Sequence, residues 1–359
     1  MHRCFNPQAV PIPDLLNELL TAPGPSGRES AAAEVWRRAA SAFAEVSTDA
    51  MGSSYARVAG KRDGPTVALM GHVDEIGLVV THVDEQGLVA FAVVGGYNPE
   101  VLVAQRVVVL GRDGPVQGVI GRRGVRPSDQ KEGERVEVSD LHVDVGAADA
   151  EEARSLVSVG DVAVLVGEPV ELAHGRIASK AMDNRIGAFV VLETARRVAE
   201  AGGAPGELVA VASVQEEFGS FGARASAFGL APDLAIAVDI TPASDVPGGD
   251  PRTGGEVSLG AGPAIDRAPS LNPKLVELLL DTAREEGIGV CFEVSTRLTH
   301  TDADELHVSR AGLPTALISV PLRYTHTPVE TAQLSDVEDT IRLLTASLLR
   351  IDGAASFAR

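Results

Sequence analysis

Apolar residues recur at helical spacing over 13–20 and again over 29–43, with a Pro/Gly-rich turn over 21–27 between them, so the chain opens on two helices. A short apolar run of strand length follows over 65–70 and stops at GHVDEIG (71–77). From about 78 to 170 the texture changes. Short β-rich runs (88–94, 106–110, 116–120, 141–145, 162–166) are punctuated by glycine every few residues, the pattern of a small all-β module with turns. Helix and strand then alternate again. An amphipathic helix over 186–201 precedes a strand over 208–214, a helix over 222–228 and a strand over 234–239. A helix over 273–286 and a strand over 315–320 follow. The closing helix, 335–349, is expected to start from a Ser335 cap with Glu338 three residues on.

An α/β layer thus opens the chain, is interrupted, and resumes. The predicted fold is α/β, a mixed, mostly parallel sheet flanked by helices with an inserted all-β domain. The expected division is 1–77 for the first part of the α/β domain, 78–173 for the inserted β domain and 174–359 for the second part. A length of 359 residues suits about two domains at roughly 150 residues each.

Composition narrows the class. Asp and Glu number 50 against 31 Lys and Arg, a net charge of −19, which argues against nucleic acid or an anionic membrane face as the main partner. Aromatics are 4 % with a single Trp36, so stacking platforms for bases or sugars are scarce. Cys4 and Cys291 lie far apart and offer neither a disulfide framework nor a cysteine zinc site. The opening MHRCFNPQAVPIPDLL lacks the apolar core of a signal peptide, and no stretch nears the ~18 apolar residues of a membrane span. A cytoplasmic setting is expected.

Five polar places draw attention. His72 with Asp74, Glu216 with Glu217, Asp239 and His326 each end an apolar strand, and Asp183 starts the long helix. Ligands of open, mostly parallel sheets bind at the strands' carboxyl ends, so these residues are expected to face one cleft although up to 254 residues separate them. Singly, each has a bland reading. His72 suits a satisfied loop histidine, Asp74 a turn cap, Asp183 a helix N-cap, and Asp239 a strand-ending turn. Glu216 and Glu217 resist such treatment: adjacent desolvated carboxylates repel unless a cation stands between them. On an extended chain they point to opposite sides, so one can bind metal while the other addresses water or substrate. Asp74, two residues from His72, can orient that imidazole as carboxylates beside metal-binding histidines do. Two His and several Asp/Glu without Cys suit zinc, cobalt or manganese, and paired metals are a common hydrolytic device.

GHVDEIG, KAMDNR (180–185), QEEFGSFGA (215–223), Val238–Asp239 and RYTHTPVE (323–330) occur in an order and spacing that resemble the tetrahedral, glutamyl-aminopeptidase-like di-metal aminopeptidases. The likeness spans nearly the whole chain, including PGPSGRE (23–29), Asp144–Ala147 and Gly160–Asp161. It implies a peptidase that removes N-terminal residues, with two divalent ions per subunit (zinc or cobalt, or else manganese). His72 and Asp239 would hold one ion, Glu217 and His326 the other, and Asp183 would bridge them. Glu216 would be the general base toward a metal-bridging water, and Asp74 the support of His72. The resemblance also implies that the β module makes dimers and that dimers build a dodecamer.

Two departures stand out. The family's Gly before Thr-Asp-Ala is replaced here by His300, in a loop expected near substrate, where it would bear on specificity or access, or less readily serve as a stray ligand. The segment GVIGRRGVRPSDQ (118–130) lacks the His expected after its proline, which bears on assembly. Two other readings compete. A glycoside hydrolase could use the carboxylate pair, but one Trp and three Tyr are poor provision for sugars. A non-catalytic assembly protein could keep the fold, but all five ligand positions and the base are filled.

Overall fold

The computed structural model describes residues 10–62, 64–124 and 135–358; Cys4 and Pro127–Ser128, both weighed from sequence, lie outside these. In chain order the elements run α1 (Asp14–Thr21), α2 (Ser30–Ala40), β1 (Glu45–Thr48), β2 (Ser54–Val58) and β3 (Val67–His72). Then come β4 (Gly77–Val83), β5 (Val89–Val94), α3 (Pro99–Leu102), β6 (Arg106–Gly111), β7 (Gly114–Arg122), β8 (Leu141–Asp144), α4 (Ala150–Leu156) and β9 (Val162–Leu165). The chain continues through β10 (Val170–Glu171), β11 (Arg176–Ser179), α5 (Met182–Glu200), β12 (Leu208–Ser213), α6 (Phe221–Leu230) and β13 (Leu234–Pro242). It closes with β14 (Ala264–Asp266), α7 (Pro273–Glu286), β15 (Cys291–Glu293), α8 (Ala303–Leu306), β16 (Thr315–Arg323), β17 (Glu330–Gln333) and α9 (Leu334–Leu348).

The main sheet has 11 strands with β12–β3–β13–β16 at its centre, all mutually parallel. These four read as nearly unbroken apolar runs because both of their faces are covered. Antiparallel strands extend the sheet on both sides, β2 and β1 beyond β12, and β17, β11 and β10 beyond β16. The mixed α/β sheet expected from sequence is therefore present.

Between β3 and β10 the chain forms a separate closed barrel, β4–β5–β8–β7–β6–β9. It has its own core, including Leu78, Phe91, Val107, Ile120 and Val143, and carries the short helices α3 and α4 that sequence did not anticipate.

Helix α5 lies on β3, β12 and β13, and α1, α2 and α9 pack on it; α6 and α8 form a second, smaller layer against β12, β13 and β16. Trp36 of α2 donates its indole N–H to the Ala188 carbonyl of α5 at 3.0 Å. Helix and sheet meet without side chains at one point. A Cβ at Gly71 would lie 2.8 Å from the Gly187 carbonyl carbon.

One expected cap is corrected, and the N-cap reading weighed beside the ligand reading of Asp183 is excluded. The closing helix starts at Leu334 with Gln333 at its N-cap and no side-chain cap, because β17 pairs with β11 through Gln333 and feeds straight into the helix. Ser335 therefore falls inside the first turn. Asp183 is not an N-cap either; Ala181 holds that place, and Asp183 keeps an extended backbone with its carboxylate turned to the site.

Gly71→Ala is expected to cost about 1–3 kcal/mol in urea unfolding, since backbone rather than a flexible side chain must move. An unchanged midpoint would refute the close approach of β3 and α5.

Candidate active site

The four central strands deliver their residues to one edge. His72 is the last residue of β3, and Glu216 and Glu217 lie three and four residues past β12. Asp239 sits within β13, His326 three residues past β16, and Asp183 at the head of α5. Backbone with positive φ surrounds them at Ala181, Gln215, Tyr324 and His326, a conformation that non-glycine residues adopt where the surroundings impose it.

Asp183 is the centre. Its Oδ1 lies 3.3 Å from His72 Nε2 and its Oδ2 3.3 Å from His326 Nε2. Asp239 Oδ1 is 3.9 Å from the His72 nitrogen, and Glu217 Oε2 is 3.4 Å from that of His326. Glu216 Oε2 approaches His72 Nε2 at 3.7 Å. The structure thus brings together every residue singled out from sequence, including Asp74, whose Oδ1 is 3.3 Å from His72 Nδ1. His300 is exposed on the wall of the cleft, its backbone N–H tied to Asp304.

Glu216 and Glu217 diverge for a reason other than strand alternation. The chain has left β12 and turned, with Gln215 at φ 59°. Asp74 accepts from the Glu216 N–H and the Glu217 N–H, both at 3.2 Å, and from Ser26 Oγ at 2.5 Å. One buried carboxylate therefore clamps the turn that carries two others.

His326 is aimed from the barrel side. Its Nδ1 is 2.8 Å from the Gly96 carbonyl, which can only accept, so Nδ1 carries a proton and Nε2 is the nitrogen turned toward Asp183 and Glu217.

The electrostatics call for positive charge. Burial pushes the Glu216 carboxyl up to about 10 and Glu217 up to about 7, and raises Asp239 well above the usual range. Burial disfavours charge on the histidines, but neighbouring carboxylates outweigh it, raising His72 and taking His326 up to about 11. Asp183 is held low: hydrogen bonds from both histidines overcome its desolvation. No lysine or arginine lines the cleft among the described residues. One buried atom here, Glu217 Oε1, lacks a hydrogen-bond partner. Ligand atoms of His72, Asp183 and Glu217 lie within 4.8 Å of one another. Such oxygen and imidazole donors around concentrated negative charge fit divalent cations.

Sequence reasoning missed the supports. Buried Glu330 accepts from the His326 N–H at 2.7 Å and the Asp183 N–H at 3.2 Å, fixing both backbones. Buried Asp302 accepts from the Ser213 hydroxyl, and burial lifts its carboxyl to about 6. Glu75 receives Lys180 Nζ at 2.6 Å, Arg185 Nη2 at 3.4 Å and the Gly24 N–H at 3.1 Å. Arg185 alone left a trace, a cation in the apolar stretch MDNRIGAFVVL that opens α5.

Sheet, centre and cleft together suit a hydrolase whose centre could hold cations. The family model of the M42 glutamyl aminopeptidases matches residues 52–343, and the chain belongs to that family. It is an aminopeptidase, a hydrolase acting on peptides. A lysyl aminopeptidase of Pyrococcus furiosus is 33 % identical over 345 residues, 93 % of this chain and 96 % of that protein. The TET aminopeptidase of Thaumarchaeota archaeon SCGC AB-539-E09 superposes with a TM-score of 0.89 at 34 % identity, over 94 % of this chain and 96 % of its own. The TET1 peptidase of Pyrococcus horikoshii, described as assembling into a tetrahedron or a large octahedral shell, gives 0.84 at 28 % identity, over 93 % and 98 %.

Zinc or cobalt added to chelator-treated protein is expected to raise its melting temperature by several degrees, because only the folded centre concentrates the donors. Asp183→Ala should remove the shift. A melting curve indifferent to metal would exclude the cluster as a cation site.

Proposed function

We propose that this chain removes N-terminal residues from peptides by di-metal hydrolysis, with Glu216 as the proton-transfer residue. The observation that carries the reading is Asp183, whose two oxygens each face a different histidine at 3.3 Å, a carboxylate suited to join two cation sites. His72 and Asp239 complete one site, Glu217 and His326 the other. Divalent ions held there, zinc or cobalt or else manganese, supply Lewis acidity that polarises a carbonyl and acidifies water.

The remaining chemistry belongs to side chains. Glu216 is outside both donor sets, at the cleft wall, where cations held beside it would keep its carboxyl ionised and able to accept a proton. It takes a proton from the attacking water and hands it to the leaving amine. Asp74 positions His72 through Nδ1 and fixes the turn carrying Glu216. The cleft of about 1120 Å3 accommodates a short peptide end. A glycoside hydrolase finds little here, since Phe218 is the only Phe, Tyr or Trp ring lining the cleft among the described residues. A purely structural role would not need a complete donor set with a desolvated base beside it.

In this reading the protein works in the cytoplasm, and its barrel forms dimers that assemble to a dodecamer. No helix among the described residues is long and apolar enough to cross a membrane. The assembled P. horikoshii relative supports the oligomer, which light scattering on the purified protein would test.

Chelation is expected to abolish hydrolysis of aminoacyl-p-nitroanilides, and cobalt or zinc to restore it. Activity that survives chelation would sink the di-metal reading. Glu216→Gln should retain bound metal but lose about a hundredfold or more in kcat, measured alongside metal content. A fully active variant would refute the base assignment.

A further inference from the structure

The family model is named for glutamyl substrates and one relative for lysyl ones, so the preferred N-terminal residue must be argued from this chain's own cleft. Away from the centre the wall carries four more carboxylates, and three are already satisfied. Asp250 pairs with Arg252 at 2.7 Å and Glu305 with Arg224 at 2.7 Å. Asp304 accepts from the backbone N–H groups of Thr299 and His300, both at 2.9 Å.

Glu293 is different. Its Oε1 accepts from the Ser319 hydroxyl at 2.9 Å, and Thr241 also hydrogen-bonds its carboxyl. No ion-pair partner stands within 4.0 Å among the described residues. Burial, with Asp266 nearby, pushes this carboxyl up to about 7, the mark of an acid with no cation beside it.

Its position is as informative as its isolation. Thr241 and Asp239 are two residues apart on β13, so they share one face of the strand, separated by about 6.6 Å along it. Both line the cleft, as does Glu293. Ser319 of β16 pairs in register with Asp239, and Thr241 is two residues on from it, so the Glu293 carboxyl that both address lies beside the centre along the sheet. A substrate whose scissile carbonyl sits at the centre has room to place its first side chain along this wall.

We propose that Glu293 is a specificity residue that receives the cationic side chain of an N-terminal Lys or Arg. This rests on the aminopeptidase reading of the same site. A lysyl ammonium or arginyl guanidinium would restore the missing partner of a desolvated carboxylate, whereas an acidic side chain would meet repulsion. Neutral side chains would gain nothing from it.

The test uses metal-loaded full-length enzyme and p-nitroanilides of Lys, Arg, Leu and Glu. Expected is kcat/KM for Lys and Arg at least about tenfold above Leu, with Glu the poorest. Glu293→Gln, checked for melting temperature and metal content, should erase most of that advantage while changing Leu hydrolysis less than about twofold. Leu hydrolysis equal to or faster than Lys hydrolysis by the wild type overturns the inference and leaves the aminopeptidase reading standing. Equal losses on Lys and Leu in the variant overturn it too. Silence on every substrate with metal restored overturns both.

Discussion

Asp183 must hold one carboxylate between two histidines, and much of the structure serves that requirement. The group has to leave the helical path to reach both imidazoles, so α5 begins with an extended Asp183 rather than a regular first turn. Glu330 then takes the Asp183 N–H that no helix bond satisfies. Asn184 anchors the next residue, its Nδ2 donating to the Val238 carbonyl at 2.8 Å while its Oδ1 accepts from the Gly187 N–H. That anchor is on β13, one residue before Asp239. Two members of the centre are therefore registered to each other by a single side chain. The glycine-on-glycine contact of Gly71 and Gly187 lets α5 lie close enough for this to work.

The barrel enters the same chain of dependence. Gly96 follows β5, and its carbonyl fixes the proton of His326. A Cβ at Gly96 would sit 3.0 Å from that ring nitrogen, so the approach suits glycine. On the other side, Glu75 and Ile76 lead from His72 into β4, and Glu75 is tied to Lys180 and Arg185 beside the head of α5. The centre is thus held from both the sheet and the barrel. Any movement of the barrel relative to the sheet would be felt first at His326, the more exposed of the two histidines.

What was legible in the sequence follows from this geometry. Apolar strands ending in His72, Glu216–Glu217, Asp239 and His326 advertise the carboxyl edge of a parallel sheet, because burial on both faces leaves an unbroken apolar run. Convergence across 254 residues could be argued from topology alone. Local chemistry could not. Asp183 looked as good for an N-cap as for a ligand, since both uses put an acid before a helix. The divergence of Glu216 and Glu217 was anticipated for the wrong reason, because nothing local announces that Asp74 bends that turn. Glu330 and Asp302 lie in segments quoted for their neighbours, and their burial is a tertiary fact. Short exposed strands such as β1 and β10 have no apolar signature to read.

The charge balance separates catalysis from selection. Asp74, Asp183, Glu216, Glu217 and Asp239 carry at most five negative charges, and two dications would bring four positive ones, so the loaded centre would lie within about one charge of neutral. Its field then falls away quickly along the cleft. Asp250 and Glu305 are cancelled by their arginines, and Asp304 is spent on backbone N–H groups. Among the described residues what remains is Glu293, desolvated and without a cation within 4.0 Å, beside the centre along the sheet. A neutral centre treats all N-terminal residues alike; a lone carboxylate beside it cannot. In the proposed reading, discrimination by charge arises at Glu293, a position that can change without disturbing a single proposed metal ligand.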